Sequence, residues 1–334
     1  MVENTFNIFK RRKNNELTKV KISKNQVMGG FFGFCIGDAL GVPVEFMTRE
    51  ELEENLVLSM RGYGTYNQPP GTWSDDSSLT FCLADSLCNG LNYKDISKKF
   101  LKWRYEGKYT PYSVAFGVDN TTETAIENIY KGINPIECGC SGERDNGNGS
   151  LMRVLPLSYF LINTEDAKKF NIIHEVSSIT HSHLRSKLAC SIYVQFAIEL
   201  LKGSDIKESY LRMQHNINEY YSGDEYKEEI NNFHSILKED ISLCRKEEIK
   251  STGYVIDTLY ASIWCLLNSV SYKETVLKAV NLGGDTDTIA AVAGGLAGIF
   301  YGIESIPKIW VQKIAKKAEI MNLINKFTKA MSKI

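Results

Sequence analysis

Hydrophobic residues recur at intervals of three and four along most of the chain, the spacing that places them on one side of an α-helix. Alternation of apolar and polar residues, the pattern of half-buried strands, is missing from the sequence. We therefore expect an all-α fold, a compact single-domain helical bundle with short loops. The predicted helices cover residues 25–40, 77–89, 186–201, 254–270, 273–282 and 289–300, followed by an amphipathic tail over 309–331.

The pattern also divides the chain. Residues 1–24 read as an N-terminal extension, and residues 25–334 as one helical domain. Residues 203–252 are rich in Lys, Glu, Asn and Tyr, and we interpret them as a charged insertion of surface helices in that domain. The basic cluster at residues 10–13 is not followed by an apolar segment, so we expect a solvated tail and no signal peptide.

Charge and cysteine usage narrow the function classes. The formal net charge is −1, so no overall positive field would attract nucleic acid, and we expect no general nucleic-acid binding. The longest apolar runs are shorter than the ~18 to 20 residues that cross a bilayer, so we expect no membrane association. The eight cysteines suit reduced thiols in a cytoplasmic protein. Nothing in the pattern calls for a partner chain, so a monomer is expected.

Two stretches concentrate acids where a helix begins. GTWSDDSSL (71–79) and GGDTDTIAA (283–291) each pass from a glycine turn through hydroxyls and two aspartates into an apolar helix. Helix capping would explain one acid in each, through about 0.3 to 1 kcal/mol of interaction with the helix dipole. Two acids about 4 Å apart repel by roughly 1 to 4 kcal/mol. For each cluster alone, capping and metal binding remain equally open.

If the two helix starts meet, four negative charges come together at Asp75, Asp76, Asp285 and Asp287. Helix dipoles cannot offset that charge, whereas two divalent cations would balance it. Ser74 and Thr288 would supply neutral oxygens. A ligand set made only of oxygens favours hard cations, Mg²⁺ or Mn²⁺.

Six short blocks in a fixed order resemble the ADP-ribosylglycohydrolase family, which includes dinitrogenase reductase-activating glycohydrolases and ADP-ribosylarginine hydrolases. Each block alone is a weak signal, but six in order between residue 25 and about residue 300 are specific. The blocks are Gly37-Asp38-Ala39-Leu40-Gly41 with Glu45 and Phe46, Trp73-Ser74-Asp75-Asp76, Gly147-Asn148-Gly149-Ser150-Leu151-Met152-Arg153, Thr180-His181, Gly253-Tyr254 leading to Trp264, and Gly283-Gly284-Asp285-Thr286-Asp287-Thr288.

The resemblance implies an all-helical protein that holds two Mg²⁺ or Mn²⁺ ions in a cleft. Glu45 would lie on the family's flexible glutamate loop, with a surface acid after Pro43 as the alternative. Glu45, Asp75 and Asp285 are the implied catalytic acids. We expect the aspartates to lie outside regular helix geometry so that both of each pair can point at the ions. The implied metal ligands are Ser74, Asp75, Asp76, Asp285, Asp287 and Thr288.

The implied substrate-binding residues come from four places in the sequence. The glycine-rich loop would cradle a diphosphate, although turns need glycine anyway. Tyr254 would stack on adenine, with a place in the core as the alternative. Arg153 is expected to form a structural ion pair. The residues are Asn120, Thr121, Gly147, Asn148, Gly149, Ser150, His181 and Tyr254.

Two further features of the sequence are a possible zinc site and a segment that departs from the family pattern. A zinc site made of Cys138, Cys140, His181 and His183 is disfavoured because both pairs are spaced by a single residue. Relatives that activate dinitrogenase reductase have Phe-Asp-Ile-Gly-Asn-Thr where this chain has Phe116-Gly117-Val118-Asp119-Asn120-Thr121, so the acid lies two positions later.

The resemblance implies hydrolysis of the bond between C1 of the distal ribose of ADP-ribose and an acceptor. The substrate would be an ADP-ribosylated protein or small molecule, with ADP-ribosyl-arginine on protein as the default, and the product would be ADP-ribose. Two alternatives remain open: a two-metal phosphohydrolase acting on nucleotides, and a non-catalytic relative that keeps the fold for binding or structure.

Overall fold

The computed structural model describes residues 19–333, so the basic cluster at residues 10–13 lies outside the described residues. The described chain folds into α-helices and short 3₁₀ turns without a β-strand, which confirms the all-α prediction. The helices are α1 (Lys24–Gly41), α2 (Arg49–Glu54), α3 (Asp75–Leu87), α4 (Tyr93–Glu106), α5 (Asn120–Tyr130), α6 (Leu155–Phe160), α7 (Asp166–Ser178), α8 (Leu184–Leu201), α9 (Ile206–Tyr220), α10 (Lys227–Asn231), α11 (His234–Lys238), α12 (Val255–Leu267), α13 (Tyr272–Val280), α14 (Thr286–Tyr301), α15 (Lys308–Lys313) and α16 (Lys317–Met331).

Helices α1 and α14 form the centre of the bundle and pack against each other more extensively than any other pair in the described chain. Glycines make this approach possible. A Cβ at Gly33 would lie 2.4 Å from the carbonyl oxygen of Gly294, and a Cβ at Gly29 would lie 2.1 Å from that of Gly298. Neither contact is sterically possible, so only glycine lets the two backbones lie this close.

The other helices cover this central pair. Helix α14 also packs against α3, α8, α12 and α13, while α8 carries α6, α7 and α9 on its other sides. Helices α9, α10 and α11 come from the charged insertion at 203–252, and the ring of Tyr210 in α9 packs edge-on against Phe196 of α8. The central pair is therefore surrounded by other helices of the bundle.

The predicted helices all exist, but their boundaries differ. The segment predicted at 289–300 begins at Thr286, and the one predicted at 77–89 begins at Asp75. Polar residues in a first helical turn break the apolar spacing without breaking the helix, so spacing alone places the start too late. The predicted tail is two helices, because the backbone at Lys316 is left-handed, with φ of 43°.

Helix α1 is longer than its apolar run suggested. Together with the turn that follows it, Lys24–Val44, it is long and apolar enough to cross a membrane by length and composition. However, 94% of its most apolar window is buried inside the protein, as expected for the core helix of a bundle. All eight cysteines are free thiols.

The close packing of α1 on α14 predicts that replacing one of its glycines by alanine changes the free energy of unfolding in the direction opposite to the usual one. Alanine in a helix interior normally stabilises relative to glycine by roughly 0.5 to 1 kcal/mol. Gly33→Ala should instead lower the free energy of unfolding by roughly 1 to 3 kcal/mol, because the new methyl group meets backbone. Urea denaturation measures the change.

Gly295→Ala is the matched control, since its Cβ would meet only side-chain atoms, 2.9 Å from the Tyr193 hydroxyl and 3.1 Å from Leu155. We expect a smaller loss there, because side chains can shift. Equal or reversed effects for the two variants would contradict the close approach of the helices.

Candidate functional site

The structure brings the two acidic helix starts into one pocket. Carboxylate oxygens of Asp38, Asp76 and Asp287 lie within 4.8 Å of one another, and so do oxygens of Glu45, Asp285 and Asp287. Asp287 belongs to both groups, and Asp75 lines the same cavity. We call these six residues the acid cluster. The first turns of α3 and α14, about 210 residues apart in sequence, therefore meet at one site.

Capping accounts for little of this arrangement. Ser74 is the N-cap of α3, where its hydroxyl accepts the Asp76 N–H at 3.3 Å and donates to an Asp76 carboxylate oxygen at 3.2 Å. Asp285 is the N-cap residue of α14, but its side chain makes no capping hydrogen bond. The expectation that the aspartates lie outside helix geometry is wrong for Asp75, Asp76 and Asp287, which occupy first helical turns.

Asp38 is a member of the cluster to which the sequence assigned no role. It lies near the end of α1, is fully buried, and accepts the Ser74 N–H at 2.9 Å and the Ser77 hydroxyl at 2.5 Å. Burial raises its pKa to about 6, although these hydrogen bonds act in the opposite direction. Asp38 belongs to the first block of the family resemblance, but its contact with Ser74, 36 residues away, is not visible in the sequence.

The loop that carries Glu45 is attached directly to the turn before α14. Gly283 and Gly284 are both left-handed, with φ of 75° and 71°, and Gly284 exchanges backbone hydrogen bonds with Phe46 and Met47. Glu45 is consequently a buried acid rather than a surface one. Burial and the neighbouring charge of Asp285 raise its pKa to about 7.

Arg49 anchors the same loop from its other end. Its guanidinium donates to three backbone carbonyls, those of Leu282, Lys246 and Ile249, at 3.0, 2.7 and 2.6 Å. The glutamate loop, the end of α13 and the segment before α12 are thereby held together. This support defines where Glu45 and Asp285 lie relative to each other.

The charge of the acid cluster is not balanced within the described chain. None of the ion pairs formed among residues 19–333 involves one of its carboxylates. Burial, followed by the charges of the other acids, raises the pKa values of Asp75, Asp76 and Asp287 well above normal. One oxygen each of Glu45 and Asp76 is buried without a hydrogen bond. Unpartnered carboxylate oxygens in an acidic, all-oxygen site fit hard divalent cations.

A cavity of about 440 Å³ opens onto the cluster. Its size is that of a site for a small organic ligand. Four members of the acid cluster and Thr288 line it, and its other lining residues come from several separate segments of the chain. The lining residues are Glu45, Phe46, Tyr66, Asp75, Gly117, Val118, Asp119, Gly147, Asn148, Met152, Gly253, Asp285, Asp287 and Thr288.

Part of the expected substrate loop lies in this cavity. Gly147 and Asn148 line it, and an isolated backbone bridge joins Gly147 to Tyr254. The Asn148 side-chain amide donates to Asp285 at 2.6 Å and to Thr258 at 2.9 Å. Asn148 is thus tied to the acid cluster, a role for which the sequence contains no separate signal. Tyr254 is exposed beside the bridge and not among the lining residues.

The remaining loop residues lie behind the cavity wall. Gly149 and Ser150 are buried, and the Ser150 hydroxyl accepts from Ser177 at 2.9 Å within the interior. His181 is fully buried against Gly149, its Nε2 atom has no hydrogen-bond partner, and burial lowers its pKa to about 4. Direct substrate contact through the side chains of Ser150 and His181 would need this wall to move.

Arg153 differs from the sequence expectation, because it forms no ion pair in the described chain. Its guanidinium is fully buried and donates to the backbone carbonyls of Gly149, at 2.5 Å, and Val176, at 3.1 Å. Burial lowers its pKa to about 10. The residue therefore holds the glycine-rich loop against α7.

Steric limits explain why position 117, in the segment that departs from the family pattern, is a glycine. Gly117 has φ of 83°, and a Cβ there would lie 2.5 Å from an Asp75 carboxylate oxygen. Asp119 lines the cavity instead and caps α5 through Thr122. Asn120 and Thr121, expected in the cleft, begin α5 and are not among its lining residues.

The residues considered for zinc do not assemble. Among residues 19–333, none of the side-chain groups with metal-ligand geometry contains a cysteine, although Cys140 and His181 are joined by a backbone bridge. His183 lies close to Glu143 and Glu229, but Arg185 forms ion pairs with both of these acids. Both glutamates of that group are therefore already engaged by a protein cation.

Comparisons with known proteins identify the family of this chain. The model of the ADP-ribosylglycohydrolase family matches residues 20–333. ADP-ribosylarginine hydrolase Tri1 of Serratia proteamaculans is 30% identical, with 90% of this chain and 78% of that protein aligned. ADP-ribosyl-[dinitrogen reductase] glycohydrolase of Rhodospirillum rubrum is 29% identical over 88% of this chain and 92% of its own length.

A more distant relative and a solved structure are also similar to this chain over most of its length. ADP-ribosylhydrolase ARH3 of Gallus gallus is 25% identical over 89% of this chain and 91% of its own length. A solved ADP-ribosylglycohydrolase-related protein complex contains a chain that superimposes with a TM-score of 0.77 at 28% identity, covering 92% of this chain and 98% of that one. The family match, the fold and the acidic cavity lead to one conclusion: this chain is a member of the ADP-ribosylglycohydrolase family.

Proposed function

We propose that this protein is a divalent-metal-dependent hydrolase that releases ADP-ribose from a modified acceptor, with ADP-ribosyl-arginine on protein as the default substrate. The observation that carries the proposal is the acid cluster, six carboxylates that form no ion pair in the described chain, four of which line a ligand-sized cavity. The arginine linkage is suggested by the names of the two relatives that match at 30% and 29% identity.

The acid cluster suits two Mg²⁺ or Mn²⁺ ions. We assign Asp75, Asp76, Asp285 and Asp287 as the ligands that supply negative charge, with Ser74 and Thr288 as neutral oxygen ligands. When bound, such ions lower the pKa of water and orient ribose hydroxyls. Asp38 fixes the start of α3 through Ser74 and Ser77, which orients the carboxylates that follow.

Glu45 is our candidate for the proton-transfer group. Its carboxyl is buried at the edge of the cavity beside Asp285, and one of its oxygens has no hydrogen-bond partner in the described chain. A carboxyl that holds a proton near neutral pH can donate it to a leaving nitrogen or oxygen, and in the ionised form it can accept one from water. Glycoside hydrolysis uses both transfers: the leaving atom receives a proton as its bond to the anomeric carbon breaks, and the water that attacks this carbon loses one.

The walls of the cavity would position the rest of the substrate. Asp119 offers carboxylate oxygens that can accept from a ribose hydroxyl, and it takes the place vacated at Gly117. Gly147 and Asn148 form the wall nearest Tyr254, so we assign the diphosphate and adenine to that side. Holding the reacting bond against the acids contributes to rate by orientation.

Product analysis tests this proposal. Purified protein is incubated with an arginine-ADP-ribosylated protein, with ADP-ribosyl-serine peptide and with ADP-ribose itself, each with Mg²⁺, Mn²⁺ or chelator. We expect metal-dependent release of intact ADP-ribose from the arginine-linked substrate, measured by chromatography, and no release in chelator.

The same panel separates the alternatives. Formation of AMP from ADP-ribose would indicate a nucleotide phosphohydrolase and overturn the assignment. Tight binding of ADP-ribose without turnover on any linkage would indicate a non-catalytic relative.

Glu45→Gln separates proton transfer from metal binding. Removing a general acid or base lowers kcat by roughly 10²- to 10⁴-fold. The amide has nearly the same shape, so we expect the thermal stabilisation by Mn²⁺ to persist in this variant. Glu50→Gln, on exposed helix α2 of the same loop, is the matched control and should keep full activity. Unchanged kcat in Glu45→Gln would remove Glu45 from the mechanism.

A further inference from the structure

Phe46 combines an exposed ring with a strained backbone. Its φ is 68°, in the left-handed region that costs about 1 to 2 kcal/mol for residues other than glycine. Its side chain is 69% exposed, so folding gains little from burying it. Glycine would satisfy the backbone at lower cost. A large exposed ring on this strained backbone points to a contact that the folded chain does not itself provide.

Phe46 belongs to a wider group of such residues. Six non-glycine residues between positions 19 and 333 have positive φ, and five of them lie between residues 46 and 113. Strain of this kind concentrates at functional sites. The five are Phe46, Tyr63, Asn67, Tyr109 and Ser113.

The loops that carry these residues are joined to one another beside the cavity. The Thr65 hydroxyl donates to the Glu45 carbonyl at 2.8 Å, and the rings of Tyr66 and Phe116 pack with centroids 4.9 Å apart. Tyr63 lies three residues from this ring pair and Val114 two residues from it, and they are 67% and 66% exposed. We call Phe46, Tyr63, Tyr112 and Val114 the aromatic rim, which consists of three exposed aromatic rings and one exposed valine side chain.

The order of the groups in the substrate indicates which part of the substrate would face the aromatic rim. The diphosphate and adenine are assigned to the wall made by Gly147, Asn148 and Tyr254, and the scissile bond to the acid cluster. The acceptor is on the other side of that bond from the diphosphate. Phe46 and Tyr66 line the cavity on two loops that the Thr65–Glu45 hydrogen bond joins, whereas the Gly147–Tyr254 bridge joins two other loops.

We infer that the aromatic rim binds the polypeptide around the modified residue, so that the enzyme recognises a protein acceptor as well as ADP-ribose. Exposed aromatic side chains are enriched in protein interfaces and dominate their binding energy. A nucleic-acid acceptor is disfavoured, because the rim adjoins the acid cluster, whose negative charge would repel phosphates. This inference rests on the proposed ADP-ribosyl hydrolase activity.

The test compares two substrates of one linkage, an arginine-ADP-ribosylated protein and free ADP-ribosyl-arginine, in the full-length enzyme with Mn²⁺. The variant is Tyr63→Asn with Val114→Ser; asparagine tolerates the left-handed backbone at position 63. We expect KM for the protein substrate to rise roughly 5- to 30-fold while kcat/KM for ADP-ribosyl-arginine changes less than about twofold.

Tyr130→Asn with Val270→Ser is the matched control, because both residues are exposed, at the end of α5 and in the turn before α13. It should leave both substrates unaffected. Equal loss on both substrates, no loss on either, or an equal effect of the control would overturn the docking role. If the wild-type enzyme releases ADP-ribose from neither substrate, the proposed function fails and this inference fails with it.

Discussion

Repulsion among buried carboxylates is the constraint on which this structure depends. Six acids share one pocket, and the described chain supplies no cation to balance them. At separations near 4 Å, each pair of ionised acids costs roughly 1 to 4 kcal/mol. A protein could tolerate such a site by keeping several acids protonated, which the raised pKa values of Asp38 and Glu45 reflect, or by binding divalent cations. Binding of divalent cations is the solution on which the proposed chemistry of the site rests.

The fold forces the acids together. Helices α1 and α14 approach closely through glycines, and their packing brings Asp38, near the end of one, against Asp287, at the start of the other. Asp38 then holds the start of α3, which carries Asp75 and Asp76. The left-handed Gly283 and Gly284 attach the glutamate loop to the same point. Backbone packing deep in the core therefore determines the geometry at the surface cavity.

Much of this could be predicted from the sequence, because apolar spacing marks buried helices and paired aspartates at helix starts are unusual. The role of Asp38 could not, since it arises from a contact between α1 and α3 that local spacing does not encode. The burial of Ser150 and His181 was missed for a related reason: glycine-rich loops look alike whether a ligand or the core lies beside them. Arg153 has carbonyl partners, and no charge pattern in a sequence reveals such contacts.

The most direct test of the account is the thermal midpoint with and without Mn²⁺ at pH 5.5 and pH 8. Folding raises the pKa of Asp38 from 3.8 to about 6 and that of Glu45 from 4.5 to about 7, so the protonated carboxyls favour the metal-free fold at low pH, and this contribution to stability is lost as the pH rises from 3.8 to about 7. Metal binding needs ionised ligands. We expect Mn²⁺ at a hundredfold excess over Kd to raise the midpoint by roughly 4 to 8 °C at pH 8 and far less at pH 5.5. No metal-dependent shift at pH 8, or the same shift in Asp287→Asn, would contradict the account.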